Sequence, residues 1–223
     1  MSTDLRTQAI VLRRTNYGES DRILNLLTPQ GKIGVMARGV RKSKSRLAGG
    51  IELFTVADVV IHQGRANLGT LTSATMLQFY GGILNDVDRL ELAGELLKKL
   101  DRASEQITNP EHFSLLRQAL HGLNQQIPTE LVNVWFKLNL ARTGGEELNL
   151  LYDSGGQALN PELNYSWDPV EKALTPDSSG QIGASEIKFM RFILTNPLMR
   201  TAKIESYREI LPKVTPLTKT LIS

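Results

Sequence analysis

The chain of 223 residues contains no cysteine. That absence excludes disulfides, thiol nucleophiles, thiolate zinc sites and iron–sulfur clusters, and it suits a reducing compartment. Histidine is scarce as well. His62, His112 and His121 stand on different expected elements, and none has a second ligand at the short spacing that a metal site uses. No apolar run is long enough to span a bilayer, and the opening MSTDLRTQ lacks the basic-then-apolar order of a signal peptide. The expectation is a cytoplasmic protein without a membrane segment. Phosphate-loop, dinucleotide-binding and nucleophile-elbow motifs are missing too. The acids Asp86, Asp88, Glu91 and Glu95 are spread round an expected helix as an ordinary solvated face and are not gathered as a Mg²⁺ site requires. Neither an enzyme nor a cofactor is expected.

What the chain does have is an uneven charge. Residues 1–80 carry 11 Lys and Arg against 5 Asp and Glu, whereas residues 81–223 carry 15 against 18. A basic first part beside an acidic second part points to a polyanionic partner, nucleic acid first, held by one region only. With 22% charged and 41% hydrophobic residues, the chain can bury a core. Its length suits two modest domains.

Lys32 to Arg46, KIGVMARGVRKSKSR, is the pivot. Its first half alternates as a half-buried strand should, and it then enters a loop in which Arg38, Arg41, Lys42, Lys44 and Arg46 are separated by Gly39, Ser43 and Ser45. Such a loop is expected to stay solvated and mobile. Taken alone, a basic run reads equally as a solubilising surface loop.

Around that loop the period is two. Strands are expected at residues 6–16, 22–28, 32–38, 52–62 and 67–78, with Thr28-Pro29-Gln30-Gly31 turning the second into the third and Gln63-Gly64-Arg65-Ala66 the fourth into the fifth. Five strands, with the longest connection after the third, give the element order of an OB-type Greek-key barrel, as they do of other small five-stranded barrels. From Phe79 the period lengthens to that of a helix. Helices are expected at 86–104, after Asn109-Pro110-Glu111, at 130–142 behind a Thr129 cap, from Ser185 to Leu194, and over 203–222, where Pro212 and Pro216 should break or kink the pattern. The third of these, apolar in several directions, should be the most buried. Residues 146–184 hold a turn-rich excursion in which Tyr165, Trp167 and Leu174 can anchor a small hairpin. The fold class is therefore α+β: a five-stranded barrel over residues 1–80, then a helical domain over 81–223.

Cations on an open β surface track a phosphate backbone, and exposed aromatics add stacking that tolerates any base. The candidates are Arg14, Lys32, Arg38, Arg41, Lys42, Lys44 and Arg46, with Tyr17 either stacking on a base or packing beneath a turn. The alternative is a scaffold whose basic loop docks an acidic protein. RNA satisfies the same charge argument as DNA.

The motifs A-I-V-L-R-R, Y-G-E-S-D, T-P-x-G-K-I and A-R-G-V-R-K followed by K-S-R, all within residues 8–76, resemble those of the bacterial recombination mediator family RecO. The resemblance implies an OB barrel followed by a helical domain. It also implies a non-enzymatic role in DNA repair and recombination: binding single- and double-stranded DNA, annealing strands, engaging the C-terminal tail of the single-stranded-DNA-binding protein, and acting with RecR to load RecA. DNA contacts by position would be Lys32, Arg38, Arg41, Lys42, Lys44 and Arg46. Lys98, Lys99, Arg102 and Arg117 carry the charge to pair with an acidic tail, or are plain solvated helix faces. Many members carry a four-cysteine zinc motif after the third long helix. Here that stretch has no cysteine, so the expectation is that Tyr165, Trp167 and nearby prolines hold it.

Overall fold

A computed structural model describes residues 3–63, 68–146 and 148–221, which form two compact units, residues 1–125 and 126–223. The first unit holds five strands: β1 (Thr3–Tyr17), β2 (Asp21–Thr28), β3 (Gly31–Ala37), β4 (Thr55–Gln63) and β5 (Gly69–Phe79). They close into a barrel in the order β1-β2-β3-β5-β4, antiparallel throughout except between β3 and β5. This strand order and its parallel seam are those of an OB fold, and they decide among the small barrels that the sequence pattern left open.

β1 is long because it serves two neighbours. Its first half, Thr3 to Ile10, pairs with β4 and its second half, from Ile10 to Tyr17, with β2, while an irregularity at Leu12 lets the strand bend between them. Ala9, Val11, Leu24, Leu26, Val35, Ala37, Val59 and Ile61 fill the interior. Ile10, Leu12 and Leu27 belong to the opposite face yet are also buried, because α1 (Val87–Gln106) packs on β1 and α2 (Glu111–Asn124) on β1 and β2. A strand covered on both sides reads as the unbroken apolar run A-I-V-L. The compact unit accordingly extends to Gln125, past the change from strands to helices at residue 80.

The caps follow local chemistry. Asp86 accepts the N–H of Arg89 at 3.0 Å to start α1. The α2 cap sits one residue later than the sequence suggests: Pro110 occupies the cap position and Glu111 is the first helical residue, its N–H accepted by Asn109 at 2.8 Å. The β2–β3 turn forms as its sequence suggests: the Thr28 hydroxyl donates to the Gly31 carbonyl at 2.9 Å, and Gly31 takes φ 120°. Residues 64–67, which hold most of the expected turn between the fourth and fifth strands and the start of the expected fifth strand, lie outside the described residues.

In the second unit α3 (Thr129–Thr143) is buried on most sides and packs on α4 (Ala184–Thr195) and α6 (Tyr207–Leu221). Its Asn139, buried, donates to the carbonyl of Trp135 at 2.9 Å, and the Trp135 indole donates to that of Asn196 at 3.1 Å. Two expectations are corrected. Thr129 is the first residue of α3 and Pro128 its cap, and α4 is capped by Gly183, whose N–H donates to Glu186 at 2.9 Å, instead of by Ser185. α6 runs through Pro212 and Pro216 unbroken. Both prolines are exposed. The carbonyls they leave free, one turn back on the same face, therefore meet water, while Tyr207, Ile210, Leu211, Val214 and Leu217 hold the opposite face in the core. α5 (Leu198–Thr201) is a single turn between α4 and α6.

Candidate nucleic-acid interface

The basic loop leaves β3 after Ala37 and ends in a 3-10 turn, Ala48–Ile51, that seals the barrel. Ile51 is wholly buried, and a Cβ on Gly50 would lie 2.7 Å from the backbone of Ala74, so only glycine fits there. At its root the loop is fixed. Gly39 takes φ 62° and donates its N–H to the Asp21 carboxylate at 2.7 Å, Val40 enters the barrel core, and the N–H of Arg41 donates to the carbonyl of Ser20 at 2.9 Å. The expectation of a freely mobile loop is thus corrected over Gly39 to Arg41, and Val40 is the reason: one buried side chain ties down the middle of A-R-G-V-R-K.

The same contacts join the loop to the β1–β2 turn. The Arg41 guanidinium donates to the carbonyl of Gly18 at 3.2 Å, and Tyr17, 55% exposed, stands at the end of β1 beside it. Structure therefore brings Tyr17 and the loop cations to one end of the barrel. Arg38, Arg41, Lys42, Lys44 and Arg46 are all exposed, and among the described residues none of them pairs with a carboxylate. The acid nearest the loop in sequence, Glu52, is matched by Arg14, and the Asp21 carboxylate at the loop root is occupied by the Gly39 N–H. Five unneutralised cations on a pinned support make a surface that attracts anions at low ionic cost to the fold.

Two other candidates are placed differently. Lys32 is 12% exposed, and its ammonium meets the carboxylate of Asp101 at 2.5 Å, the Asp101 carbonyl at 2.8 Å and Glu105 at 3.0 Å. It is a strut between β3 and α1. Arg14 lies against Glu52 at 2.5 Å, its charge matched. Its neighbour Arg13 is the exposed member of the pair, and the irregularity at Leu12, which shifts the facing of the strand beyond it, left no mark in the sequence that would reveal this. Of the helical cations, Lys98, Arg102 and Arg117 are exposed. Burial pushes the Tyr80 phenol above its ordinary range, and hydrogen bonding to Arg117 works against that, so Arg117 is engaged within the fold.

Comparison with known proteins decides the lineage. Residues 1–80 match the family model described as recombination protein O N terminal and residues 84–223 that of recombination protein O C terminal. The chain belongs to the RecO family. It is 33% identical over 201 residues to the DNA repair protein RecO of Roseiflexus sp., covering 86% of this chain and 71% of that one. To the DNA repair protein RecO of Dehalococcoides mccartyi it is 31% identical over 219 residues, covering 95% and 86%, and to that of Heliobacterium modesticaldum 35% over 181 residues, covering 80% and 64%. The role of this RecO protein is in DNA repair.

The stretch where RecO proteins can carry zinc does not fit the ion here. No cysteine is available, and among the described residues no cluster of three or more His, Asp or Glu side chains could hold a metal. Hydrogen bonds hold it instead. β6 (Tyr165–Asp168) and β7 (Ala173–Pro176) form the small hairpin expected from Tyr165, Trp167 and Leu174, with Trp167 opposite Leu174. Tyr165 is wholly buried, exchanges backbone bonds with Ile182 at 2.9 and 3.1 Å, and accepts the N–H of Asn160 on its hydroxyl at 2.8 Å. The Trp167 indole donates to Thr220 at 2.7 Å. Asp177 collects the hydroxyls of Ser166 at 2.6 Å and Ser179 at 2.7 Å, which hold its carboxyl below the usual range. Pro161, Pro169 and Pro176 are exposed and add no packing.

Proposed function

We propose that this RecO protein is a non-enzymatic recombination mediator that holds single- and double-stranded DNA at the loop end of its barrel. The observation that carries this reading is the set of five exposed cations, Arg38, Arg41, Lys42, Lys44 and Arg46, on a loop pinned beside Tyr17. Contacts of this kind neutralise phosphates without reading bases, so both single and duplex strands are bound with little sequence preference. Tyr17 stacks on an unpaired base, which favours single strands. Holding strands by their backbones leaves base edges free to pair, which is what annealing requires. Gly39 and Asp21 fix the loop root so that the cations do not have to be ordered at the moment of binding.

Protein partners belong to the rest of the molecule. RecR, the C-terminal tail of the single-stranded-DNA-binding protein and, indirectly, RecA are the partners proposed from the family. Within the second unit, a groove floored by Pro128, Tyr207, Leu211, Pro212 and Pro216 has Arg208 and Lys219 beside it, against the single acid Glu130, and this apolar floor with more cations than acids suits an acidic tail that also carries apolar side chains.

The test is binding of a fluorescent single strand as a function of salt. Five neutralised phosphates give a log–log slope of about −3.5, from about −0.7 per contact on a single strand. Reversing Arg41, Lys42 and Lys44 to Glu is expected to flatten it to about −1.4 or less while circular dichroism stays unchanged, because all three side chains are exposed. An unaltered slope in the reversed protein overturns the loop as the contact. A wild-type chain that does not bind DNA at low salt favours the scaffold reading, in which the loop docks an acidic protein.

A further inference from the structure

The barrel closes between β3 and β5, but β5 runs on well past that short seam. β5 pairs with β4 from Thr70 to Phe79 but with β3 only at Gly69 and Thr70. Gly50 covers the middle of the strand by its close approach to Ala74. From Thr75 to Phe79 no other described strand lies on the side away from β4, and no backbone bond from another described segment reaches these residues. The carbonyl of Phe79 is met by the side chain of its own neighbour, Gln78, at 3.1 Å. An uncovered strand edge is a template for a further strand.

This edge is also apolar. Six of the thirteen exposed large apolar side chains of the described residues fall between Met76 and Leu90: Met76, Leu77, Phe79, Leu84, Val87 and Leu90. A bulge opposite Val56 and Ala57 breaks the alternation of β5, so the adjacent Met76 and Leu77 both reach solvent. The Phe79 ring lies against Gly81, and further exposed apolar side chains follow close along the chain at Leu84 and at Val87, which is 70% exposed. Clustering on this scale marks an interaction surface more often than chance exposure. Its rim is acidic. Asp88, Glu91 and Glu95 are exposed, and Asp86 stands beside them with Arg89 turned towards it at 3.9 Å.

We infer that the β5 edge from Thr75 to Phe79, with the apolar strip from Leu84 to Leu90 beside it, is a docking site for an extended segment of a protein partner. That segment adds as a strand, places apolar side chains over Met76 and Phe79, and carries lysine or arginine at its flanks. Main-chain bonds supply affinity and the carboxylate rim supplies selection. The rim repels nucleic acid, and it also opposes a second copy of this chain, because pairing the same edge twice would bring the two acidic rims together. None of the five loop cations belongs to this site.

The probe is a fluorescent peptide with a Val-Thr-Val-Thr-Val centre and two lysines at each end, compared with the same centre flanked by glutamates and with a version carrying proline in the middle. On the full chain, anisotropy is expected to show the lysine-flanked peptide binding about tenfold or more tightly than the glutamate-flanked one, with the proline version not binding. Hydrogen exchange from Thr75 to Phe79 should slow on binding. Met76→Lys combined with Val87→Lys, both at exposed positions, should weaken the peptide about tenfold and leave DNA binding unchanged. Equal binding of the three peptides overturns the inference. So does a free chain in which every amide from Thr75 to Phe79 already exchanges slowly, or a dimer of the chain that the double substitution abolishes. Should that variant fold poorly, Asp88→Lys with Glu91→Lys touches the rim alone and should turn the flank preference towards glutamate; a retained lysine preference overturns the acidic-rim argument.

Discussion

His112 is a single buried imidazole with one partner. Its Nδ1 lies 3.1 Å from the Ser104 hydroxyl, its Nε2 has no partner among the described residues, and its side chain is almost fully enclosed between α1 and α2. Burial lowers its pKa from the ordinary histidine value, against a smaller opposing pull from Glu111. The folded chain therefore holds His112 neutral at a pH where the unfolded chain protonates it. Stability is expected to fall as pH drops below about 6.5, because the unfolded state then binds the extra proton, by up to about 1.4 kcal/mol per pH unit. Urea unfolding at about pH 7.5 and about pH 5.5, where carboxylates stay ionised, reads this directly. His112→Leu should lose part of that pH dependence, whatever its cost in absolute stability; an undiminished dependence would show that other groups carry it. Sequence placed His112 only as a residue without a metal partner. Its burial follows from the helix face it shares with Phe113, Leu116 and Ala119, but the bond to Ser104 comes from the preceding helix, and no local pattern announces it.

At the scale of elements, the informative case is the attachment of α1 to the barrel. Asp101 accepts from Lys32 on β3 and from the Asn25 amide on β2 at 2.9 Å, so one carboxylate ties two strands to one helix. The side chains of Lys32 and Asp101 are 12% and 13% exposed, so removing one partner leaves the other with little water. Lys32→Ala is expected to cost about 2–3 kcal/mol in urea unfolding and to leave the salt dependence of DNA binding intact. A variant of normal stability with a shallower salt slope would return Lys32 to the DNA surface. Periodicity made the elements themselves readable, because strands half-covered by a core alternate and helices recur at 3.6 residues. It could not distinguish a lysine facing phosphate from a lysine facing a helix carboxylate 69 residues away, since both give the same letter at the same strand position. The placement of Arg14 was hidden for a related reason: the irregularity at Leu12 changes which of Arg13 and Arg14 faces out, and Arg14 lies against Glu52. The loop cations were readable because turn residues on both sides keep them out of any core. Val40 among them was the sign that the loop is anchored.

At the scale of the molecule, composition and compactness divide the chain at different places. Charge and periodicity change at residue 80, and the two family models meet there, but α1 and α2 pack on the strands and the compact unit ends at Gln125. The physical cause is the covered face of β1 and β2. Ile10, Leu12 and Leu27 lie there, each 5% exposed or less, and a barrel cut at residue 80 would present them to water. Burying side chains of this size is worth about 1.5–3 kcal/mol each, a large share of the stability of a small barrel. A fragment of residues 1–125 is therefore expected to unfold cooperatively and to keep the salt slope of the full chain, while residues 1–80 should aggregate or melt without a sharp transition. Heat and urea unfolding of the two fragments, each followed by circular dichroism and by binding to a fluorescent single strand, checks this. A cooperative fragment of residues 1–80 would mean that the barrel stands without its helices. Lys32, with Asp101 gone, would then become a free cation, and that fragment should bind DNA with a slope steeper by about one contact, about −0.7.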